Sequence, residues 1–101
     1  MVCSQMHKVR LVQFGAVSCL PCSAIKEKIH CWLDSRKAND LPVEYQYISL
    51  DKEPEIAATE GIFTVPALKF YVDGKVAVEA AGYFSLEEFF SKVERYLELL
   101  N

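Results

Sequence analysis

The chain has no apolar run long enough to span a bilayer, no excess of basic residues and no low-complexity tract, and each absence removes a class of function. A membrane helix needs about 20 consecutive apolar residues. Eleven Lys and Arg stand against fourteen Asp and Glu, a formal charge of -3 with the signs interspersed, so no basic stripe can follow a phosphate backbone. We therefore expect neither a membrane nor a nucleic-acid partner. The leading residues, Met1 to Lys8, hold no apolar segment followed by a small-residue cleavage site, so export is not expected and a reducing cytoplasm is the default. Half of the 101 residues are hydrophobic (51%), enough for one compact core spanning 1–101 and not for two. Such a core does not need disulfide staples, which argues against reading the four cysteines as a secreted scaffold.

Two of those cysteines are only three positions apart, in Cys19-Leu20-Pro21-Cys22, where an apolar strand-like run gives way to a helical pattern. A thiol in the first turn of a helix meets unpaired backbone N–H groups and the positive end of the helix dipole, and both favour thiolate. Thiolate is the nucleophilic form. A second thiol about one turn further on is placed to attack a mixed disulfide on the first, so the pair can cycle between dithiol and disulfide.

The surrounding pattern predicts a βαβ unit followed by a hairpin and a helix. Val9 to Phe14 reads as a buried strand ending at Gly15. Ile25, Ile29, Trp32 and Leu33 then recur at helical spacing, with Glu27, His30, Cys31 and Asp34 on the other face. Asn39 to Pro42 reads as a loop, and Val43 to Leu50 as a second strand, parallel to the first because the crossover is long. Pro54 near the start and Gly61 at the end bound a short helix within Asp51 to Glu60. Ala67 to Val72 and Lys75 to Ala81 flank Asp73-Gly74, a two-residue hairpin turn. Ser85 and Glu88 form a capping box, Phe84 and Phe89 a hydrophobic staple, and the apolar face of a last helix runs from Leu86 to Leu100. The order is β-α-β-α-β-β-α.

From Val9 to the C-terminus this arrangement resembles the thioredoxin family. Leu11-Val12-Gln13-Phe14 resembles the strand before the active site, Cys19-Leu20-Pro21-Cys22 the redox motif, Thr64-Val65-Pro66 the cis-proline segment, Phe70 to Lys75 the hairpin, and Gly82 the glycine before the last helix. The resemblance implies an α/β thioredoxin fold with a central four-stranded mixed sheet flanked by helices, the family's first strand and helix being absent. It implies that Cys19 is the exposed attacking thiol and Cys22 the buried resolving one. Pro66 would face both, leaving the Val65 backbone to pair with an extended substrate. The expected groove runs along Ala16 to Leu20, with Ser18, Leu20 and Pro21 beside the reactive sulfur, and along Val65-Pro66 and the Gly82-Tyr83 turn. The implied activity is reduction of protein disulfides, in electron transport and redox homeostasis. It needs no cofactor or metal and draws on an external reductant such as a thioredoxin reductase, in a protein expected to be monomeric.

Three departures from the family pattern qualify this reading. Ser18 replaces the tryptophan that usually precedes the first cysteine, Gln13 replaces the buried aspartate that helps to deprotonate the resolving cysteine, and Tyr47 falls where a lysine commonly partners that aspartate. We expect the Cys22 step to need another proton route. Two alternatives stand beside the reductase: a glutathione-fed, glutaredoxin-like activity, opposed by Leu20-Pro21 where Pro-Tyr is common, and a non-catalytic redox-sensing or partner-binding module. A zinc knuckle lacks its second half, because Cys3, His7, His30 and Cys31 do not form one. Cys31 is nine residues past Cys22, about 13 Å along a helix, and reads as a bystander.

Overall fold

The computed structural model describes residues 8–36 and 41–100. Val9–Gly15 forms β1, and its near-continuous burial follows from its place in the sheet. The strand order is β2-β1-β3-β4, with Val43–Ser49 as β2, Ala67–Val72 as β3 and Lys75–Ala81 as β4. β1 therefore has a neighbour on each edge, and both of its faces are packed, so no polar alternation survives in its sequence. It runs parallel to β2 and antiparallel to β3, and β3 pairs antiparallel with β4. Asp73 and Gly74 both take positive φ in the tight turn between them, as an Asp-Gly pair allows.

The period-2 alternation of β1 sorts its side chains between two cores. Val9 and Leu11, with Leu68, Phe70 and Val78, meet Ile29 of α1 (Leu20–Asp34) and Phe89, Val93 and Leu97 of α3 (Leu86–Leu100). Val12 and Phe14, with Tyr71 and Ile62, make the smaller core on the opposite face, against which Ile56 of α2 (Pro54–Glu60) packs. Trp32 joins α1 to α3: its ring stacks on Phe90 at 4.9 Å, and its Nε1 donates to a Glu94 carboxylate oxygen at 2.9 Å. Ser85 Oγ accepts from the Glu88 N–H at 3.2 Å, half of the expected capping box. Gly61 closes α2 with a left-handed residue (φ 69°), a conformation that costs glycine nothing sterically.

Element order, strand directions and the mixed four-stranded sheet agree with the sequence reading. The observed α1 starts at Leu20, so Cys19 is its N-cap residue and Pro21 lies in its first turn. Residues 39 and 40 of the expected loop, and also Cys3 and His7, fall outside the described residues. Among the described residues no helix is long and apolar enough to cross a membrane, and no group of three or more Cys, His, Asp or Glu is placed to hold a metal ion.

Candidate active site

The C-terminal end of β1 and the N-terminal end of α1 meet at the two cysteines. A short turn, in which the Cys19 N–H donates to the Ala16 carbonyl at 3.0 Å, carries the chain from strand to helix. Two bonds tie this turn to the end of β2: the Leu50 N–H donates to the Gly15 carbonyl at 2.8 Å, and the Val17 N–H to an Asp51 carboxylate oxygen at 2.5 Å. Cys19 and Cys22 are joined in a disulfide, with their Cα atoms 5.5 Å apart. Cys19 stays partly open to solvent, whereas Cys22 is only 3% exposed, because the first turn of α1 directs it inward onto the sheet. Cys31, exposed on α1, is a free thiol far from the pair in sequence and takes no part in it.

Beneath the pair lies Gln13, fully buried, with both ends of its amide engaged. Its Nε2 donates to the Cys22 carbonyl oxygen at 2.9 Å, and its Oε1 accepts from the Tyr45 hydroxyl at 2.6 Å. Burial, reinforced by the nearby Tyr47, pushes the Tyr45 phenol up to about 12, so it remains a donor at every physiological pH. Gln13 thus anchors α1 to β1 and β2 but carries no exchangeable carboxyl proton. Tyr47 stands beside Gln13 in the β1–β2 register, yet the hydroxyl that Gln13 uses belongs to Tyr45.

The second wall of the site comes from loops distant in sequence. The Val65-Pro66 peptide bond is cis, and Pro66 is buried next to the cysteines. The Gly82 N–H donates to the Pro66 carbonyl at 2.8 Å, locking the proline loop to the turn before α3. Gly82 has φ 73°, and a Cβ there would press on Thr64 Cγ2 at 3.3 Å, so both backbone conformation and space favour glycine. On the far side of the sheet, Lys69 Nζ reaches the Glu60 carbonyl at 2.6 Å and its carboxylate at 3.3 Å, and Tyr71 donates to the same carboxylate at 2.7 Å. This network fixes the end of α2, from which the Ile62 to Pro66 loop departs. The Tyr71 hydroxyl bond, and the Lys69 ammonium after it, hold the Glu60 carboxyl below its ordinary value despite partial burial.

These parts enclose a groove of about 700 Å³ that opens along Cys19. Ser18, Leu20, Pro21, Val65, Pro66 and Gly82 all line it. Cys22 does not, since it lies below the floor, and Ala16 and Val17 stand outside the lining. The sequence reading missed the extension of the groove along α1 through Ala24, Ile25 and Lys28, and along the start of α3 through Phe84 and Leu86. The signal for it was weak: Ala24 and Lys28 follow Leu20 at successive four-residue steps, the spacing of one helical face. Leu20 and Tyr83 on the rim, and Phe63 nearby, are almost fully exposed, so large apolar side chains surround a half-open disulfide.

A four-stranded mixed sheet with a Cys-x-x-Cys disulfide at a strand–helix junction and a cis-proline loop beside it defines a redox-type α/β domain. Residues 2–95 match the thioredoxin family model, and the chain belongs to that family. Among curated proteins it is similar to Thioredoxin-2 of Pyricularia oryzae, 32% identical over 76 residues, which cover 75% of this chain and 42% of that protein. It is also similar to the thioredoxin-like protein YdfQ of Bacillus subtilis, 24% identical over 95 residues (94% and 81%). The chain thus spans about two fifths of the Pyricularia protein's length. Among solved structures, thioredoxin 1 of Thermosipho africanus superposes with a TM-score of 0.78 at 24% identity, covering 89% of this chain and 96% of that one. The oxidised thioredoxin of Plasmodium falciparum gives 0.67 at 20% identity (91% and 80%). Likeness at this level of identity speaks for the fold.

Proposed function

We propose that the protein is a thiol–disulfide oxidoreductase that reduces protein disulfides, with Cys19 as nucleophile and Cys22 as resolving thiol. The observation that carries this reading is the unequal exposure of two bonded sulfurs at an apolar groove: an incoming sulfur can reach Cys19, while Cys22 is reached only from within the protein. Cys19 thiolate attacks a substrate disulfide, and one substrate sulfur leaves as thiolate. Cys22 then attacks Cys19, releases the second substrate thiol and leaves the internal disulfide. An external dithiol reductant of the thioredoxin-reductase type returns the pair to the dithiol.

The backbone at Val65, held beside Cys19 by Pro66, is the natural partner for an extended substrate segment, and Ser18, Leu20, Pro21 and Gly82 shape the contact around it. We read residues 1–101 as one domain acting as a monomer in a reducing, cytoplasmic setting, with no cofactor. A second reading, a redox-sensing module, is supported by Gln13, whose engaged amide offers no base to Cys22.

Trapping experiments test the assignment. Cys22→Ser should accumulate mixed disulfides with substrate proteins, and Cys19→Ser should neither trap nor turn over. Equal trapping by the two variants overturns the roles. Stoichiometric oxidation without catalytic turnover in the presence of excess dithiol favours the sensing module.

A further inference from the structure

The absence of a side chain at Gly15 leaves a small space that two reactive groups approach from different elements. A Cβ built at this buried position would collide with Tyr47 Oη, and would stand 2.9 Å from Cys22 Sγ and 3.0 Å from Tyr47 Cε1. The phenol hydroxyl and the sulfur therefore border the same methyl-sized space at the end of β1. Tyr47 arrives there from β2, on the sheet face shared with Gln13 and Gly15. The Gln13 amide on the same face is already engaged, by the Cys22 carbonyl and the Tyr45 hydroxyl.

We propose that the Tyr47 hydroxyl donates a hydrogen bond to the Cys22 sulfur and stabilises its thiolate during the resolving step, in the place where this chain has no carboxylate. The inference rests on the reading of Cys22 as the resolving thiol. In the mixed disulfide, Cys22 gives its proton to solvent and its thiolate attacks Cys19 Sγ. The Cys19–Cys22 bond forms as the Cys19–substrate bond breaks, and the departing substrate thiolate takes a proton from solvent. Tyr47 keeps its own proton throughout. Its hydrogen bond favours the anion over the thiol, because a bond to a charged acceptor is stronger than one to a neutral acceptor. The charged group facing Tyr47 is Lys26 of α1, whose Nζ lies 5.1 Å from the ring centroid, and its positive field also favours an anionic sulfur. Tyr45 flanks it on β2, and β1 presents only neutral Gln13 and Gly15.

The test reads Cys22 alone. In protein carrying Cys3→Ser, Cys19→Ser and Cys31→Ser, a neutral serine stands in for the capped Cys19 of the mixed disulfide, and the Cβ chemical shift of isotope-labelled Cys22 follows its ionisation. Tyr47→Phe, which removes only the hydroxyl, should make Cys22 about tenfold weaker as an acid, a rise of about one pKa unit. In otherwise unaltered protein, the pH at which mixed disulfides resolve should rise by the same amount. An unchanged Cys22 titration in a Tyr47→Phe variant that melts like the parent overturns the proposal. If that variant does not fold, fluorotyrosine at position 47, a stronger donor of nearly equal size, should lower the Cys22 pKa, and no shift would be equally decisive against it. Absence of any protein-disulfide reduction by the parent would remove the proposed function, while the Cys22 titration would still decide the role of Tyr47.

Discussion

Replacing Gln13 by leucine tests whether the buried amide, and not apolar contact alone, fastens α1 to the sheet. Gln13 is fully buried, and its two bonds, 2.9 Å to the Cys22 carbonyl and 2.6 Å from the Tyr45 hydroxyl, bridge α1, β1 and β2. Leucine has similar volume, so the change leaves little cavity and isolates the polar term. A buried group that loses its partner costs about 1–3 kcal/mol. Two features of the structure reduce that figure. The Cys22 carbonyl keeps its place in the helical hydrogen-bond ladder, and the Tyr45 hydroxyl is only half-buried and can turn to water. The expected loss is therefore about 1–2 kcal/mol, or about 5–15 °C in Tm for a domain of this size. Urea unfolding with unchanged slope gives the free energy directly. Tyr45→Phe should cost about 1 kcal/mol by leaving Gln13 Oε1 unpaired, and the double variant should cost less than the sum, since both changes break the same bond. A Gln13→Leu variant as stable as the parent, or additive single effects, would show that the amide network contributes nothing and would refute this account of how the helix is held.

Two further outcomes follow from the same geometry. Because the Tyr71 hydroxyl and Lys69 hold the Glu60 carboxyl below its ordinary value near 4.5, the stabilisation it provides is complete above that value and is lost as pH falls through the lower, folded-state pKa. Thermal melts of Glu60→Gln should accordingly lie below the parent at neutral pH and converge with it under acid conditions, and a constant gap at all pH values would count against the carboxylate. Tyr83 projects fully into solvent on the groove rim, so Tyr83→Ala should leave Tm unchanged and raise KM for protein disulfides about 2–5-fold without altering turnover of a small disulfide. Equal loss on both substrates would place Tyr83 in the chemistry and not in substrate contact.

Much of this protein was determined by its sequence alone, because the signals involved are local. Alternating or continuous apolar runs fixed where strands lie, a 3.6-residue recurrence fixed α1 and α3, and Asp73-Gly74 and Gly61 marked turns that few other residues accommodate. The Cys19–Cys22 spacing was legible for the same reason, since three positions on one helical turn set the distance between two thiols. Which atoms of distant elements stand opposite one another was decided only by the tertiary structure. Register placed Tyr47 beside Gln13, but side-chain reach gave Gln13 to Tyr45 and left the Tyr47 hydroxyl bordering the space at Gly15 that Cys22 Sγ also borders. The groove likewise gained Ala24, Lys28, Phe84 and Leu86 only when α1 and α3 docked on one face of the sheet. Periodicity says which face of an element is apolar. It carries no information about which atom of a distant element will stand opposite, because that depends on how the sheet twists and how the helices settle against it.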